Sequence, residues 1–231
     1  MSTSISMRRV YVWQLPVRLY HWINALCILV LAATGYLIGN PFALQNSAEA
    51  YLGYWFGTVR FIHFAFAFLF FFNFVYRIYF GFVGNRFAKW GNFIPHKKEQ
   101  FAEMLQVLKI DILQTAQAPL KAIGHNSLAG VTYFITFLIF LFQSITGFGM
   151  YAAMSNSWFP SLFAWIVPLM GGDAYVRVWH HLMMWFFIIF AMIHVYLVFY
   201  HDYVEGRGTI SSMGGGWKFI EKERLEKDVT H

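Results

Sequence analysis

Four long apolar stretches, separated by more polar connections, dominate the pattern of hydrophobic and polar positions along the chain. They cover residues 17–38, 54–80, 128–150 and 174–200. A helix needs about 20 consecutive, mostly apolar residues to cross a hydrocarbon core of about 30 Å. Each stretch meets this requirement, and none of them contains Asp or Glu. The pattern therefore predicts an all-α integral membrane protein with four transmembrane helices in one bundle.

The remaining segments differ from one another in character. Apolar residues recur with helical spacing beside charged residues within the connection 81–127, which predicts an amphipathic helix on the membrane surface. The segment 151–173 is aromatic, but two prolines divide it into pieces too short to cross a membrane, so we expect a cap over the membrane face. The tail, 202–231, is polar and carries a flexible run of three glycines. We interpret residues 1–231 as a single membrane domain, without internal repeats.

Composition supports the membrane assignment and limits the possible chemistry. The chain is 58% hydrophobic and 12% charged, whereas soluble domains contain about 25% charged residues. The formal net charge of +6 is therefore not evidence for nucleic-acid binding. The single cysteine, Cys27, can form neither an internal disulfide nor an iron–sulfur site, so a redox centre in this chain needs other ligands.

The distribution of basic residues predicts the orientation in the membrane. Of the 17 Lys and Arg residues, only Arg60 and Arg177 lie outside the N-terminal segment, the 77–127 region and the tail. Cytoplasmic loops are enriched in Lys and Arg. We therefore expect both termini on the cytoplasmic side of the membrane.

The fourth span contains the most informative polar residues. Four histidines, His180, His181, His194 and His201, lie in or next to it, and ionisable residues inside membranes usually mark functional sites. With about 100° and 1.5 Å per residue, His180 and His194 share a face and lie about 21 Å apart along the axis. His181 points elsewhere, and an interfacial location explains both His181 and His201.

Depth along the predicted spans pairs these residues with histidines on other helices. His63 in the second span and His180 both lie in the outer half of the membrane, whereas His21 in the first span and His194 lie in the inner half. Two bis-histidine levels follow. Two imidazoles fill both axial positions of a b-type haem, whereas a zinc site requires further ligands at the same level.

Three residues are candidates for the haem surroundings. Gly35 shares the face of His21 at the outer level, where it makes room for a haem, or else it allows close helix packing. Arg18 and Arg77 lie near the inner level. They pair with haem propionates or simply anchor the helices at the interface.

Several short stretches around these residues together form a recognisable pattern. They are RLYHW at 18–22 with Thr34 and Gly35, RFIH at 60–63, RIY at 77–79, GHN at 124–126, HHL at 180–182, Trp185, Phe190 and HVY at 194–196. The pattern resembles the cytochrome b subunit of membrane-bound nickel–iron hydrogenases, which implies a location in the inner membrane of a bacterium. The formate dehydrogenase and thiosulfate reductase cytochromes are more distant relatives with the same four-helix dihaem plan.

The resemblance implies an electron-transfer subunit and membrane anchor rather than a hydrogen-activating enzyme. Electrons would pass from the iron–sulfur chain of the hydrogenase small subunit through two haems b to a membrane quinone. The large subunit would carry the hydrogen chemistry. The outer loops would contact the small subunit, whose C-terminal membrane helix would pack beside this chain in the lipid bilayer.

The quinone site is expected near the inner haem. Asn126 and His125 precede the third span and are candidates to bind a quinone carbonyl or to relay a proton, although Asn126 is also suited to cap the helix. His201 either delivers protons to that site or marks the interface. A related formate dehydrogenase or thiosulfate reductase subunit, a haem-free anchor and a transporter with a histidine proton relay are the alternatives.

Overall fold

The computed structural model describes residues 6–41, 54–93, 98–111 and 127–222. Four long helices, each apolar and long enough to cross a membrane, account for most of these residues. Their bounds are α1 Leu15–Gly39, α2 Trp55–Val83, α4 Ser127–Ala152 and α7 Asp173–Glu205. The predicted all-α membrane architecture is confirmed, and the predicted spans agree with the observed helices to within five residues at each end.

Shorter elements connect the long helices. The predicted amphipathic helix is present as α3, Lys98–Asp111, while its location on the membrane surface stays a prediction. The cap forms two single helical turns, α5 Trp158–Ser161 and α6 Ile166–Leu169. The loop at 42–53 and the segment 112–126 lie outside the described residues.

The described residues fall into two compact units. The first unit comprises the described parts of Met1–Tyr20, Arg77–Thr136 and Met192–His231. The second unit comprises His21–Tyr76 and Phe137–Ala191, again within the described residues. Every long helix therefore contributes residues to both units, and the single-domain interpretation stays a prediction.

The second unit is packed by aromatic rings. Phe140 stacks on Phe187 with ring centroids 4.9 Å apart, and it meets the edge of Phe70 at the same distance. All three rings are about 95% buried. Because these residues come from α2, α4 and α7, this stack joins the three helices inside the second unit.

The cap corrects one detail of the expected partner surface. The aromatic residues of this cap were expected to be available for contact with the small subunit, but Phe159 and Phe163 turn inward onto Phe148 at 5.2 and 5.5 Å. Trp158 and Trp165 remain 73% and 51% exposed. The exposed surface of the cap therefore contains fewer aromatic side chains than the sequence indicates, because some side chains of each helical turn pack inside the second unit.

Part of the polar tail, residues 206–222, forms regular structure around the run of three glycines that was expected to be flexible. Helix α8, Thr209–Gly215, is followed by strand β2, Trp217–Glu221, which pairs antiparallel with strand β1, Met7–Tyr11. Between these elements Gly216 adopts φ of 87°, a conformation that glycine adopts without steric cost. Its carbonyl accepts hydrogen bonds from the backbone N–H groups of residues 12 and 13. The two terminal segments consequently lie at the same end of the first unit.

Candidate functional site

Two of the four predicted ligand histidines lie in the second unit. His63 on α2 and His180 on α7 are both half-buried and both belong to the second unit. A Cβ on Gly35 would touch the His63 ring and also Met184, which lies one turn after His180 on α7. The structure therefore brings together the pair that depth matching assigned to the outer level. Residues from α1 and α4 determine the orientation of these two imidazoles.

A threonine on α1 holds the first imidazole. The Thr34 hydroxyl oxygen lies 2.9 Å from Nδ1 of His63 and 2.7 Å from the carbonyl oxygen of Val30, one turn earlier on the same helix. Thr34 is 8% exposed. The hydrogen bond within α1 therefore fixes the Thr34 hydroxyl in the position from which it contacts His63.

The second imidazole has an equivalent partner on α4. The Thr146 hydroxyl oxygen lies 2.8 Å from Nδ1 of His180 and 2.8 Å from the carbonyl oxygen of Phe142. Thr146 is completely buried. In addition, the side-chain amide of Gln143 donates to the backbone carbonyl of His180 at 3.1 Å. This part of α7 is therefore attached to α4 at two points.

The threonine hydroxyls determine which nitrogen of each imidazole carries the hydrogen. A backbone carbonyl only accepts hydrogen bonds, so the single hydroxyl hydrogen points to the carbonyl one turn earlier. The threonine oxygen must then accept the second bond, and Nδ1 of the histidine must donate it. A neutral imidazole protonated at Nδ1 keeps its lone pair on Nε2, as a metal ligand requires.

A glycine follows each of these threonines and makes room for the imidazole ring. A Cβ atom on Gly35 would lie 3.3 Å from Cε1 of His63 and 3.6 Å from the sulfur of Met184. A Cβ on Gly147 would lie 3.1 Å from Cε1 of His180. Such contacts are tight, so both rings lie closer to the neighbouring helix than a larger residue would allow. Gly35 was expected to make room for a haem or to allow close helix packing. The structure places the His63 ring against it, and its contact with a haem stays a prediction.

Sequence reasoning missed the α4 half of this arrangement. A detectable signal was present, since the triplet Thr–Gly–aromatic occurs at 34–36 and again at 146–148. The triplet did not indicate a histidine contact, because small residues in membrane helices are more often explained by close helix packing. Only the structure shows that each triplet faces one histidine.

His181 occupies a different environment from its neighbour. A Cβ on Gly39, at the end of α1, would lie 2.6 Å from Cε1 of His181. The ring therefore packs against the backbone of α1, one turn beyond Gly35. Helical phase had removed His181 from the predicted ligand pairs, and this close packing provides a different role for it.

The other predicted pair is divided between the units. His21 belongs to the second unit, where its half-buried ring meets the edge of Trp22 at 5.0 Å. His194 belongs to the first unit and is exposed, as are the residues around it from 192 to 196. The pairing of His21 with His194 stays a prediction from the sequence.

The two arginines expected at the inner haem have protein partners in the first unit. Arg18 donates a hydrogen bond to the carbonyl of Gly214. Arg77 is 2% exposed and donates to the carbonyl of Ala88 at 3.0 Å. Its guanidinium lies between 5.2 and 5.3 Å from the ring centroids of Trp90, Phe93 and Tyr133. Both arginines therefore stabilise the first unit, and their contact with propionates stays a prediction.

The structure describes only one of the three candidate quinone residues. Asn126 and His125 lie outside the described residues. His201 is half-buried, and its ring meets the edge of Tyr200 at 5.5 Å. The assignment of these three residues stays a prediction.

The outer pair suits an axially ligated haem better than a directly bound metal ion. Within the described ranges, no group of three or more His, Cys, Asp or Glu side chains could hold a metal ion. Two imidazoles with free Nε2 lone pairs are the axial donor set of a b-type haem. Each ring also has the hydrogen bond at Nδ1 that commonly orients metal-binding histidines. The donor set, the tautomers and the rigid support thus all fit haem.

Comparison with known proteins agrees with this chemistry. A family model described as prokaryotic cytochrome b561 matches residues 12–216. Proteins described as "Probable Ni/Fe-hydrogenase B-type cytochrome subunit" are 41% identical in Azotobacter chroococcum, over 93% of this chain and 90% of the relative, and 37% identical in Cupriavidus necator, over 92% and 88%. The Escherichia coli K12 protein described as "Probable Ni/Fe-hydrogenase 1 B-type cytochrome subunit" is 34% identical over 90% of both chains. The chain therefore belongs to the prokaryotic cytochrome b561 family.

Proposed function

We propose that this chain is the b-type cytochrome subunit and membrane anchor of a respiratory uptake nickel–iron hydrogenase. In this role it binds two haems b and passes electrons from the small-subunit iron–sulfur chain to membrane quinone. The chain is an electron-transfer subunit, and the hydrogen chemistry belongs to its partner subunits. The names of its relatives supply the hydrogenase assignment.

The observation that carries the proposal is the matched pair of threonine–histidine hydrogen bonds. The hydroxyl oxygens of Thr34 and Thr146 lie 2.9 and 2.8 Å from Nδ1 of one histidine each. Because each hydroxyl hydrogen points to a backbone carbonyl, each oxygen accepts from Nδ1. Buried polar side chains in a membrane protein are costly unless they are satisfied or functional. Two imidazoles with the same tautomer, supported by the same Thr–Gly unit, are readily explained as two axial ligands of one haem.

The protein residues hold and orient the outer haem. His63 and His180 would supply their Nε2 atoms, and the threonines prevent either ring from rotating. A haem with two imidazole ligands exchanges single electrons without binding an external ligand. The apolar helices around the pair exclude water, so the residues here serve electron transfer and not acid–base chemistry.

The inner half of the path rests on the sequence. His21 and His194 share one predicted depth, and they would ligate the second haem. Arg18 and Arg77 would face its propionates. Asn126, His125 and His201 would form the quinone and proton site at the cytoplasmic side of the inner membrane.

The outer cap is the proposed contact with the small subunit. Trp158, Leu162, Trp165 and Leu169 are between 51% and 73% exposed. Exposed apolar patches of this kind mark protein or membrane contacts. The cap follows α4 at the end that carries Thr146, so a partner there would deliver electrons near the outer pair.

The ligand assignment can be tested by counting haem. The pyridine haemochrome assay on the purified chain should give two haems b, and His180→Ala should lower the count to one. The neighbouring variant His181→Ala is the matched control, because His181 is also half-buried but packs on Gly39. A preparation without haem, or equal loss in both variants, would contradict the assignment.

The partner assignment needs a separate measurement. Co-purification of the tagged chain with the hydrogenase large and small subunits should be weakened by the double variant Trp158→Ala and Leu169→Ala. Leu29→Ala is the control, because Leu29 is 69% exposed but lies within the membrane span of α1. Unchanged recovery with the cap variant would place the partner surface elsewhere, while leaving the haem ligands untouched.

A further inference from the structure

The folded chain ends of the first unit connect the start of one membrane helix with the end of another. Strand β1 leads into α1, which begins at Leu15, and β2 follows α7 and α8. The two strands pair antiparallel along all five residues of each strand. The start of α1 and the end of α7 are therefore joined through one small folded segment. We call β1, α8 and β2 the terminal clamp.

The terminal clamp holds the start of α1 by three hydrogen bonds. The Gly216 carbonyl accepts from the backbone N–H groups of Val12 and Trp13 at 2.9 and 3.1 Å. Arg18, in the first turn of α1, donates to the Gly214 carbonyl. Val12 and Trp13 are buried, and hydrogen bonds shielded from water are stronger than exposed ones. Both the connecting segment and the helix itself are therefore attached to the clamp.

The terminal clamp also holds the end of α7. Asp202, in the last turn of α7, accepts through Oδ1 from the backbone N–H of Ile210 in α8 at 3.2 Å. The Arg207 carbonyl, two residues after the helix, accepts from the N–H of Phe219 in β2 at 3.1 Å. The Arg207 side chain is buried and lies 3.8 Å from the Glu221 carboxylate. Backbone and side-chain contacts thus attach the end of α7 to α8 and β2.

Lateral packing gives this part of α7 little support within the first unit. Residues 192–196 are all exposed. Five consecutive residues cover every side of a helix, because each residue turns the helix by about 100°. Among the described residues, no neighbouring element therefore buries any side of α7 at this level. The terminal clamp is the main connection that the first unit provides between this part of α7 and the start of α1.

The two helix segments that the clamp connects lead to the predicted inner haem ligands. His21 lies one turn beyond Arg18 on α1, and His194 lies eight residues before Asp202 on α7. Side chains of a binding site must be held within about 0.5 Å of the productive geometry. We propose that the terminal clamp positions His21 and His194 for the inner haem, an inference that rests on the proposed function. The clamp residues are positioning residues, because they act through the two helices.

Two adjacent glycines supply a variant and its matched control. Gly216 has φ of 87°, and a Cβ on it would lie 2.6 Å from the carbonyl oxygen of Trp13. Gly216→Ala therefore forces β2 away from the segment that precedes α1. A Cβ on Gly215 would meet no atom within 4 Å. Gly215→Ala should consequently leave the clamp closed.

The first measurement does not depend on haem. Spin labels on Leu15→Cys and Tyr203→Cys report the separation of the two helix ends by pulsed electron double resonance, because both positions are exposed. The single native cysteine is removed by Cys27→Ala, and the complete chain is held in nanodiscs. We expect one narrow distance distribution with Gly215→Ala and a broader one with Gly216→Ala. Equal widths would refute the holding role of the clamp.

The second measurement tests the link between the clamp and the haem. A haem with two imidazole ligands has no free axial position for an external ligand. The reduced unsubstituted chain and Gly215→Ala should therefore bind no carbon monoxide, whereas Gly216→Ala should bind it at one of its two haems. When Gly216→Ala is combined with His180→Ala, which leaves only the inner haem, the remaining haem should bind carbon monoxide.

A second substitution separates positioning from general damage to the fold. Asp202→Ala removes the acceptor for the Ile210 N–H and should open the same haem to carbon monoxide, whereas Asp202→Asn keeps an acceptor oxygen and should not. The inference is refuted if Gly216→Ala and Asp202→Ala both leave the haems closed, or if both variants lose the two haems together. An unsubstituted chain with fewer than two closed haems contradicts the proposed function, and the positioning role fails with it, while the label distances still report the clamp itself.

Discussion

The hydroxyl of Thr146 provides the sharpest test of the proposed haem-ligand site. Valine has nearly the same shape but lacks the hydroxyl, so Thr146→Val removes the acceptor for Nδ1 of His180 and leaves that donor buried. An unsatisfied buried donor costs about 1–3 kcal/mol. Loss of a hydrogen-bond partner behind a metal ligand typically lowers metal affinity about 10–100-fold. We therefore expect the outer haem to dissociate at least tenfold more readily.

The same substitution should change the redox potential of the haem that remains. A hydrogen bond donated by Nδ1 makes Nε2 more basic, and a more basic ligand favours ferric over ferrous iron. Its loss should raise the midpoint potential, by about 40 mV for each kcal/mol of difference between the two states. A spectroscopic redox titration of the outer haem measures this change, and Thr146→Ser should restore the original value because it keeps the hydroxyl.

A matched control separates this effect from general helix damage. Thr136, also on α4, is 6% exposed, and its hydroxyl donates to the carbonyl of Thr132 at 2.8 Å. Within the described part of the chain it makes no hydrogen bond to a histidine. Thr136→Val should leave haem content and potential unchanged. The reasoning fails if both valine variants behave alike, or if Thr146→Val retains its haem at an unchanged potential.

Three further predictions follow from the packing. Gly147→Ala should lower haem content, because the new methyl would lie 3.1 Å from the imidazole of His180. The control is Gly57→Ala on α2, which has open space around it and should leave haem content unchanged. The pyridine haemochrome assay measures haem in both variants. Phe140→Ala should lower the unfolding free energy by about 3–5 kcal/mol, measured by denaturation in detergent, and an unchanged value would show that the ring stack is not a packed core. Arg77→Gln should lower the Tm, since it removes the cation from three aromatic rings; an unchanged Tm would contradict that role.

The four membrane helices could be predicted because their signal is local. Transfer of a helix into lipid depends on the length and polarity of each segment, and neither requires knowledge of its neighbours. The helical spacing of apolar residues is also a local signal, and it predicted α3. Local signals could not predict strand β2, because this strand depends on pairing with β1, more than 200 residues earlier in the chain.

The sequence supplied candidate residues for the site but not their contacts. Helical rise and phase placed His63 and His180 at one depth, and the structure places both in the second unit. Helical rise and phase do not show which side chain forms a hydrogen bond with each imidazole ring. The roles of Thr34 and Thr146 depend on how α1 and α4 are rotated against α2 and α7, and that rotation is a property of the packed helices.

The sequence by itself determined the membrane class, the number of spans, the family and the histidines that could ligate haem, because these depend on composition, length and residue spacing. The tertiary structure alone decided the tautomers of His63 and His180, the enclosure of Arg77 by aromatic rings and the sheet at the chain ends. Each of these results from contacts between segments that are distant in sequence, where a shift of one residue in helix phase or strand register would exchange the partners.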